Sequence, residues 1–256
     1  MTLLRATMVM VLLALALGAA QAVTAVSNGA VCKPGDPCGP PPRYSCTKTT
    51  QPITVDGRLD EAAWSRAVVF RDFHLTDGVQ RPTFRTEFRA LWDDQNLYLA
   101  YVCSDPKIVA KRTKRDEYVW EDDCVEAFLS AGHEVGRYYE FEVSPRNVQF
   151  DTTIVVTPDD KREANYDWNC AGLRSAVRVE GEGAKQKWTV EIALPFSEIG
   201  REKKAPSIGE TWRANFYRIE YGSKKEEDSC WSPTLRLDFH TPDRFGYLVF
   251  AGGKGR

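Results

Sequence analysis

Trp120 stands at the end of a polar loop (residues 111–118) and directly before three carboxylates at residues 121–123. An alternating strand-like segment follows, so we expect the indole at a loop–strand junction. An exposed aromatic plane beside fixed polar groups can bind a ligand that has both apolar faces and hydroxyl groups. Trp120 therefore marks either such a ligand site or the edge of the core.

Glu126 lies in that segment and shares a strand face with Cys124 and Phe128. The face predicts either a second buried layer or the floor of a groove. A carboxylate there needs a partner, because burying it unpaired is costly. Arg218, Arg244 and a hydroxyl group of a ligand are the candidates.

Asp122 and Asp123 could coordinate calcium, a hard cation that prefers carboxylate and carbonyl oxygens. The spaced ligands of an EF-hand are missing, so the sequence leaves two interpretations open. One is a structural calcium site, and the other is a solvated acidic loop.

The sequence indicates that the protein is not an enzyme. It contains neither a Gly-x-Ser-x-Gly nucleophile motif nor a phosphate-binding glycine loop. A glycosidase needs two carboxylates facing one cleft. Glu126, Glu140 and Glu142 could be arranged so, but nothing distinguishes an acid from a base.

The first 22 of the 256 residues differ in composition from the rest of the chain. We predict a signal peptide over residues 1–22, because Arg5 is followed by an apolar run at residues 9–17 and a small-x-small motif at residues 20–22. The apolar run is shorter than the roughly 20 residues of a membrane span, and no later segment reaches that length. We expect a secreted or periplasmic protein without a membrane span. The net charge of −2 gives no indication of nucleic-acid binding, which requires clustered positive charge.

The seven cysteines lie beyond residue 22, in a chain expected to be exported, which favours disulfides over a metal site. Cys32 and Cys38 are predicted to form a small clamp within a Pro/Gly-rich leader, residues 23–48. Seven is odd, so at least one thiol stays free or pairs with another chain.

From residue 53 onward the pattern is that of an all-β protein. Apolar and polar residues alternate with a period of two, and residues 97–103 are continuously apolar, as in an inner strand. Strands are predicted at residues 84–92, 97–103, 125–130, 139–143, 147–156, 173–179, 188–194, 211–221 and 245–250. Short helices are predicted at residues 61–67, capped by Asp60, and 196–199. Short strands joined by turns predict an antiparallel β-sandwich of immunoglobulin or jelly-roll type.

Residues 55–64 read Val-Asp-Gly-Arg-Leu-Asp-Glu-Ala-Ala-Trp, which resembles the opening of carbohydrate-binding module family 9. The likeness continues in order at residues 91–98, 120–128, 188–195 and 239–246. Five motifs in register identify residues 49–251 as a domain of this family.

The resemblance implies a DOMON-like sandwich that binds glycans without cleaving them, often beside secreted glycoside hydrolases, and that can carry structural calcium. Two aromatic rings and a carboxylate hold the sugar in such domains, which implies roles for Trp120, Glu126 and Phe239. The second ring is typically a tryptophan, so Phe239 is a departure. A basic residue expected on the neighbouring strand aligns with Glu142, which reverses the charge.

His240 and Arg244 flank Phe239 and are predicted to donate to sugar hydroxyls, although Arg244 could instead pair with an acidic neighbour. Two other functions stay open. DOMON-like sandwiches include haem-binding electron-transfer domains, but all three methionines lie in the signal peptide, which removes one axial ligand. A structural or adhesion domain with a decayed sugar site is the other alternative.

Overall fold

Strands dominate the protein, whose computed structural model describes residues 39–132, 136–157, 159 and 161–253. The predicted signal peptide and the Cys32–Cys38 clamp lie outside these residues. The strands are β1 Arg43–Lys48, β2 His74–Leu75, β3 Thr86–Trp92, β4 Asn96–Ser104, β5 Cys124–Ser130, β6 Arg137–Val143, β7 Gln149–Val156, β8 Arg162–Asn165, β9 Arg174–Glu180, β10 Lys187–Pro195, β11 Thr211–Glu220, β12 Glu227–Cys230 and β13 Gly246–Ala251. Each of the nine predicted strands is confirmed.

Helical structure is sparse in the described part of the chain. The α-helix α1 spans Phe196–Ile199, as predicted. Single 3₁₀ turns occupy Trp64–Arg66, Val119–Glu121, Gly183–Lys185, Arg201–Lys203 and Pro242–Arg244. The helix predicted over residues 61–67 was wrong in length, because only the 3₁₀ turn forms and Asp60 does not cap it. None of these helices is long and apolar enough to cross a membrane.

The strands form one sheet in the order β8-β7-β6-β5-β11-β13-β1-β3-β4-β10-β9, and β12 joins β11 to β2. Strand β1 runs parallel to both of its neighbours, β13 and β3. The sheet is therefore mixed, which corrects the prediction of an antiparallel arrangement. No strand was predicted before residue 53, but the Pro/Gly-rich run ends at Pro42 and Arg43–Lys48 forms an inner strand.

The sheet curls so that its two halves face one core. Phe88 of β3 stacks on Phe216 of β11 with ring centroids 4.0 Å apart, although two strands separate β3 from β11 in the sheet order. Tyr101 of β4 likewise donates its hydroxyl to the backbone oxygen of Glu126 at 2.8 Å. Four tryptophans predicted to be core residues are buried: Trp64, Trp92, Trp188 and Trp212.

The segment at residues 55–64 is anchored outside this core by one carboxylate. Glu191 of β10 accepts hydrogen bonds from the N–H groups of Asp56 and Gly57 at 2.9 and 2.8 Å and from the Trp64 indole at 2.8 Å. Gly57 has a φ of +81°, and a Cβ there would lie 3.0 Å from the backbone N of Arg178. The Asp-Gly and Trp positions of the motif are therefore explained by a structural contact.

Four cysteines of the described residues are free thiols, which corrects the disulfide prediction for them: Cys46, Cys103, Cys124 and Cys170. The thiol of Cys230 lies 3.6 Å from the backbone oxygen of His74. Each of the five is buried and behaves as a small apolar side chain. Burial raises the pKa of Cys103 and of Cys170 to about 12, which keeps both thiols protonated.

Candidate functional site

A cleft of about 480 Å³ opens on the outer face of β5, β6, β7 and β11. Residues of β8 and β12 and of two loops line it as well. Trp120, Glu126, Phe239 and His240 all line this cleft, so the structure brings together four of the five residues predicted to bind sugar. The alternation along β5 explains the placement: Val125 points into the core, whereas Glu126 points the opposite way.

The floor of the cleft carries three glutamates. Glu126 of β5 pairs in register with Glu142 of β6, and Glu140 lies two residues before Glu142 on the same face. Their exposed fractions are 3 %, 1 % and 6 % respectively. Three carboxyl groups are thus buried side by side, where charge repulsion and desolvation both favour protonated forms.

Few donors compensate these groups. The Cys124 thiol lies 3.7 Å from Glu126 Oε1. The backbone N–H of Trp120 lowers the pKa of Glu142, but burial and the neighbouring glutamates outweigh it. Oε2 of Glu142 has no hydrogen-bond partner. Burial, together with the neighbouring glutamates, raises the pKa of Glu126 and of Glu142 well above the ordinary range. Burial raises the pKa of Glu140 to about 7.

One wall of the cleft is built around Trp120. The residue belongs to the 3₁₀ turn Val119–Glu121, just before β5, which confirms the predicted loop–strand junction. Its ring stacks on Tyr118 at 4.8 Å and meets Phe150 edge-on at 5.1 Å. The Tyr221 hydroxyl donates to the Trp120 backbone oxygen at 2.9 Å, so the indole is held on several sides.

Phe239 provides a second wall from the loop that follows β12. Its ring lies nearly parallel to that of Tyr217, with centroids 4.0 Å apart and an interplanar angle of 15°. The Tyr217 hydroxyl also donates to the Phe239 backbone oxygen at 2.8 Å. A residue on β11 therefore fixes the orientation of a loop side chain.

His240 lies next to the floor. Its Nδ1 is 2.8 Å from the Tyr138 hydroxyl, and its Nε2 is 4.0 Å from Glu140 Oε2. Burial lowers the pKa of His240 to about 4, and the charge of Arg162 acts in the same direction. The imidazole is therefore neutral at pH 7 and can exchange hydrogen bonds with hydroxyl groups.

The predicted cationic partners of Glu126 are placed elsewhere. Arg244 is buried outside the cleft lining, and its guanidinium donates to the backbone oxygens of Pro233 and Gly39 at 3.1 and 3.3 Å. Arg218 lies on the core side of β11, where it bonds to Glu220 and lies 3.5 Å from Asp105. Neither arginine contacts the cleft floor.

The residues present do not fit a calcium ion at Asp122 and Asp123. Oδ2 of Asp122 accepts the backbone N–H groups of Lys111 and Arg112, both at 2.7 Å. Asp123 accepts the N–H groups of Val109 and Tyr221.

The two aspartates also point to different places. Asp123 is grouped with Asp105 and Glu220, where the Arg218 guanidinium already supplies a cation. Asp122 is not part of that group. The two carboxylates therefore do not converge on one ion, and their hydrogen bonds fix the loop before β5.

Several residues of the cleft were missed by sequence analysis. Asp228 on β12, Tyr221 beyond β11 and Arg162 on β8 all line it. Strands β8 and β12 have four residues each, too short for a period of two to be recognised. The alternation of Glu140 and Glu142 with Phe141 was visible and predicts that both glutamates share one face.

Comparisons with known proteins identify the family and the fold of the chain. The sequence model of a family described as "Carbohydrate family 9 binding domain-like" matches residues 55–253. An extracellular protein of Arthroderma benhamiae is 26% identical over 192 residues, which cover 70% of this chain and 84% of that protein.

An endo-1,4-beta-xylanase A of Thermotoga neapolitana is 28% identical over 194 residues. The match covers 76% of this chain but 16% of the xylanase, so the chain corresponds to a small part of that enzyme.

Two solved structures share the fold. A putative carbohydrate-binding protein of Bacteroides uniformis superposes with a TM-score of 0.66 at 20% identity, covering 81% of this chain and 98% of that one. A family 9 carbohydrate-binding module of Caldicellulosiruptor kristjanssonii, solved with cellotriose, gives 0.53 at 16% identity, covering 82% and 94%. Since the family match spans most of the sequence, the chain belongs to the carbohydrate family 9 binding domain-like family, a family of non-catalytic carbohydrate-binding modules, as its motifs predicted.

Proposed function

We propose that this protein is an exported, non-catalytic carbohydrate-binding protein that holds an oligo- or polysaccharide in the cleft of Trp120, Glu126, Phe239 and His240. The observation that carries the proposal is the meeting of two anchored aromatic walls and a buried carboxyl floor in one cavity. The aromatic rings would cover the apolar faces of a sugar, and the polar groups would exchange hydrogen bonds with its hydroxyls.

The likeness to a module solved with cellotriose, and to the same kind of module solved with glucose, supports β-linked glucans as the first ligands to test. Arg244 is left out of the proposed site because its guanidinium donates to backbone oxygens. Phe239 has a smaller ring than tryptophan, but stacking on Tyr217 holds it in place.

Export is supported by the signal-peptide pattern over residues 1–22 and by the name of the Arthroderma benhamiae relative, an extracellular protein. The xylanase relative supports a role in carbohydrate catabolism beside glycoside hydrolases. The fold on which this function rests is, in our proposal, a DOMON-like sandwich made by the curled sheet.

The test is a titration of the purified protein with glucose, cellotriose and xylotriose, followed by tryptophan fluorescence and calorimetry. We expect a saturable response that Trp120→Ala weakens at least tenfold, because the substitution removes an aromatic wall. Trp168→Ala is the matched control, since Trp168 is also a half-buried tryptophan but packs against Tyr139 outside the cleft.

Thermal unfolding of both variants checks that each remains folded. Equal binding by Trp120→Ala and the wild-type protein would place the site elsewhere. A folded wild-type protein that responds to no sugar would refute the proposal and favour the structural alternative, whereas a Soret band would favour the haem-binding one.

A further inference from the structure

The cleft is strongly acidic and has almost no positive charge of its own. Its lining includes six carboxyl groups: Glu126, Glu140, Glu142, Glu226, Asp228 and Asp238. Arg162 is the single arginine or lysine among the described lining residues, and it is paired with Asp238 at 2.9 Å. His240 is neutral at pH 7. The floor therefore has no free cation to balance it.

Two floor oxygens have no hydrogen-bond partner. They are Oε2 of Glu142, a residue that is 1 % exposed, and Oδ1 of Asp228. An unpartnered buried acceptor is costly and rare in folded proteins. Two other buried carboxylates of the molecule differ: Glu191 receives three donors, and Glu220 is paired with Arg218. Oδ1 of Asp122 also has no hydrogen-bond partner, but it lies 3.8 Å from the Arg112 guanidinium. Carboxylate oxygens that lack a hydrogen-bond partner and border a cavity can accept hydrogen bonds from a ligand.

We infer that the cleft binds a sugar that carries a positively charged amine, with its ammonium group placed between Glu126 and Glu142. The inference rests on the proposed carbohydrate-binding function and names the ligand class. An ammonium group has three donors and no acceptor, which matches a floor that is rich in acceptors.

Binding of an amine then displaces a proton. Burial and the neighbouring carboxyl groups raise the pKa of both Glu126 and Glu142. The titratable groups that act on one or both of them come from four strands: Cys124 on β5, Glu140 on β6, Tyr217 on β11 and Asp228 on β12. The ammonium ion replaces the proton held between the carboxyl groups, so about one proton is released for each amine bound.

The test compares three trimers of equal length by calorimetry: glucosamine trimer, its N-acetylated form and cellotriose. We expect the amine to bind at least tenfold more tightly than the other two at pH 6. Titrations in two buffers of different ionisation enthalpy should show proton release with the amine alone. Glu142→Gln should lower the affinity for the amine at least tenfold, a larger factor than its effect on the affinity for cellotriose.

Glu198→Gln is the matched control, because Glu198 belongs to α1, away from the cleft. Equal affinities for all three trimers, or an amine preference that survives Glu142→Gln, would overturn the inference while the proposed function stands. If no trimer binds to the folded protein, both the inference and the proposed function are wrong.

A divalent cation is the competing occupant. The ligand atoms of Cys124, Glu126 and Glu142 lie within 4.8 Å of one another. Zinc and calcium ions are therefore titrated alone, and the amine titration is repeated with a chelator. Tight binding of either ion that excludes the amine, or loss of amine binding with the chelator, would overturn the inference in favour of a metal site. Unchanged amine binding with the chelator supports it.

Discussion

Glu191 and Glu142 are glutamates buried to the same degree, each 1 % exposed, yet their surroundings differ. Glu191 accepts three hydrogen bonds, from the N–H groups of Asp56 and Gly57 and from the indole of Trp64. Glu142 faces two further glutamates and has one oxygen without a partner. One carboxylate anchors a loop, and the other borders a cavity.

The difference shows how function can be separated from stability when burial is equal. A buried polar group that holds the fold together is satisfied by the chain itself, as with Glu191. A buried polar group left unsatisfied costs free energy unless something outside the chain completes it. The same reasoning places the cage of Asp105, Glu220 and Arg218 with the structural groups, because its arginine is internal.

The largest effect is expected from Arg218→Met. The substitution leaves Asp105, Asp123 and Glu220 buried together without a cation, and breaking a buried ion pair costs about 3–5 kcal/mol of unfolding free energy. Urea unfolding at pH 7 measures the loss. Arg66→Met is the control, since Arg66 is exposed and should change stability by less than about 0.5 kcal/mol. A loss below about 1 kcal/mol for Arg218→Met would contradict the structural role of the cage.

Glu191→Gln should cost about 2–4 kcal/mol in the same measurement. The glutamine amide keeps one oxygen, so its NH₂ group faces an N–H donor and at least one buried donor loses its acceptor. Cellotriose affinity should stay within about twofold, because Glu191 lies outside the cleft lining. If Glu191→Gln were as stable as the wild-type protein, or bound sugar poorly, Glu191 would not be a purely structural glutamate in contrast to Glu142.

Stability should fall as the pH rises from 5 to 8. Burial raises the pKa of Glu140 and of Glu220 to about 7 and that of Asp228 to about 6, all above the values of an unfolded chain. In this window the native state binds protons that the unfolded state has released. The free energy of unfolding therefore decreases with pH, by about 1.4 kcal/mol per pH unit for each such proton.

Urea unfolding at half-unit steps of pH gives this slope. Glu140→Gln removes one of the titrating groups and should make the slope shallower by up to one proton. A stability that rises between pH 5 and pH 8 would mean that the buried carboxyl groups are already ionised in the native state.

Strands such as β3 and β5 could be predicted because their side chains alternate over seven residues. The parallel pairing of β1 could not, since Arg43–Lys48 is short and its partners β13 and β3 lie far away in sequence. Disulfides were inferred from the cysteine count and the expected export. Burial of single cysteines at separate core positions is a tertiary feature that no spacing reveals.

Sequence analysis could predict four residues of the cleft because they lie in two of the family motifs: Trp120, Glu126, Phe239 and His240. Arg244 could not be excluded, because the motif gives its position but not the carbonyl groups of Pro233 and Gly39 that receive its donors. The sequence also could not predict that Oε2 of Glu142 lacks a hydrogen-bond partner. The carboxyl group is visible in the sequence, whereas its hydrogen-bond partners depend on the strands that pack around it.

Among the three buried positions Arg218, Glu191 and Glu142, the smallest effect on stability is expected from Glu142→Gln. The amide has the shape of the carboxylic acid, and its NH₂ group can donate to Glu140 or Glu126, which replaces the proton held between carboxyl groups. The free energy of unfolding at pH 7 should therefore change by less than about 1 kcal/mol or rise. Thermal and urea unfolding measure this beside Glu191→Gln. A loss as large as that of Glu191→Gln would show that Glu142 is a structural group, and the cleft floor would then be part of the core.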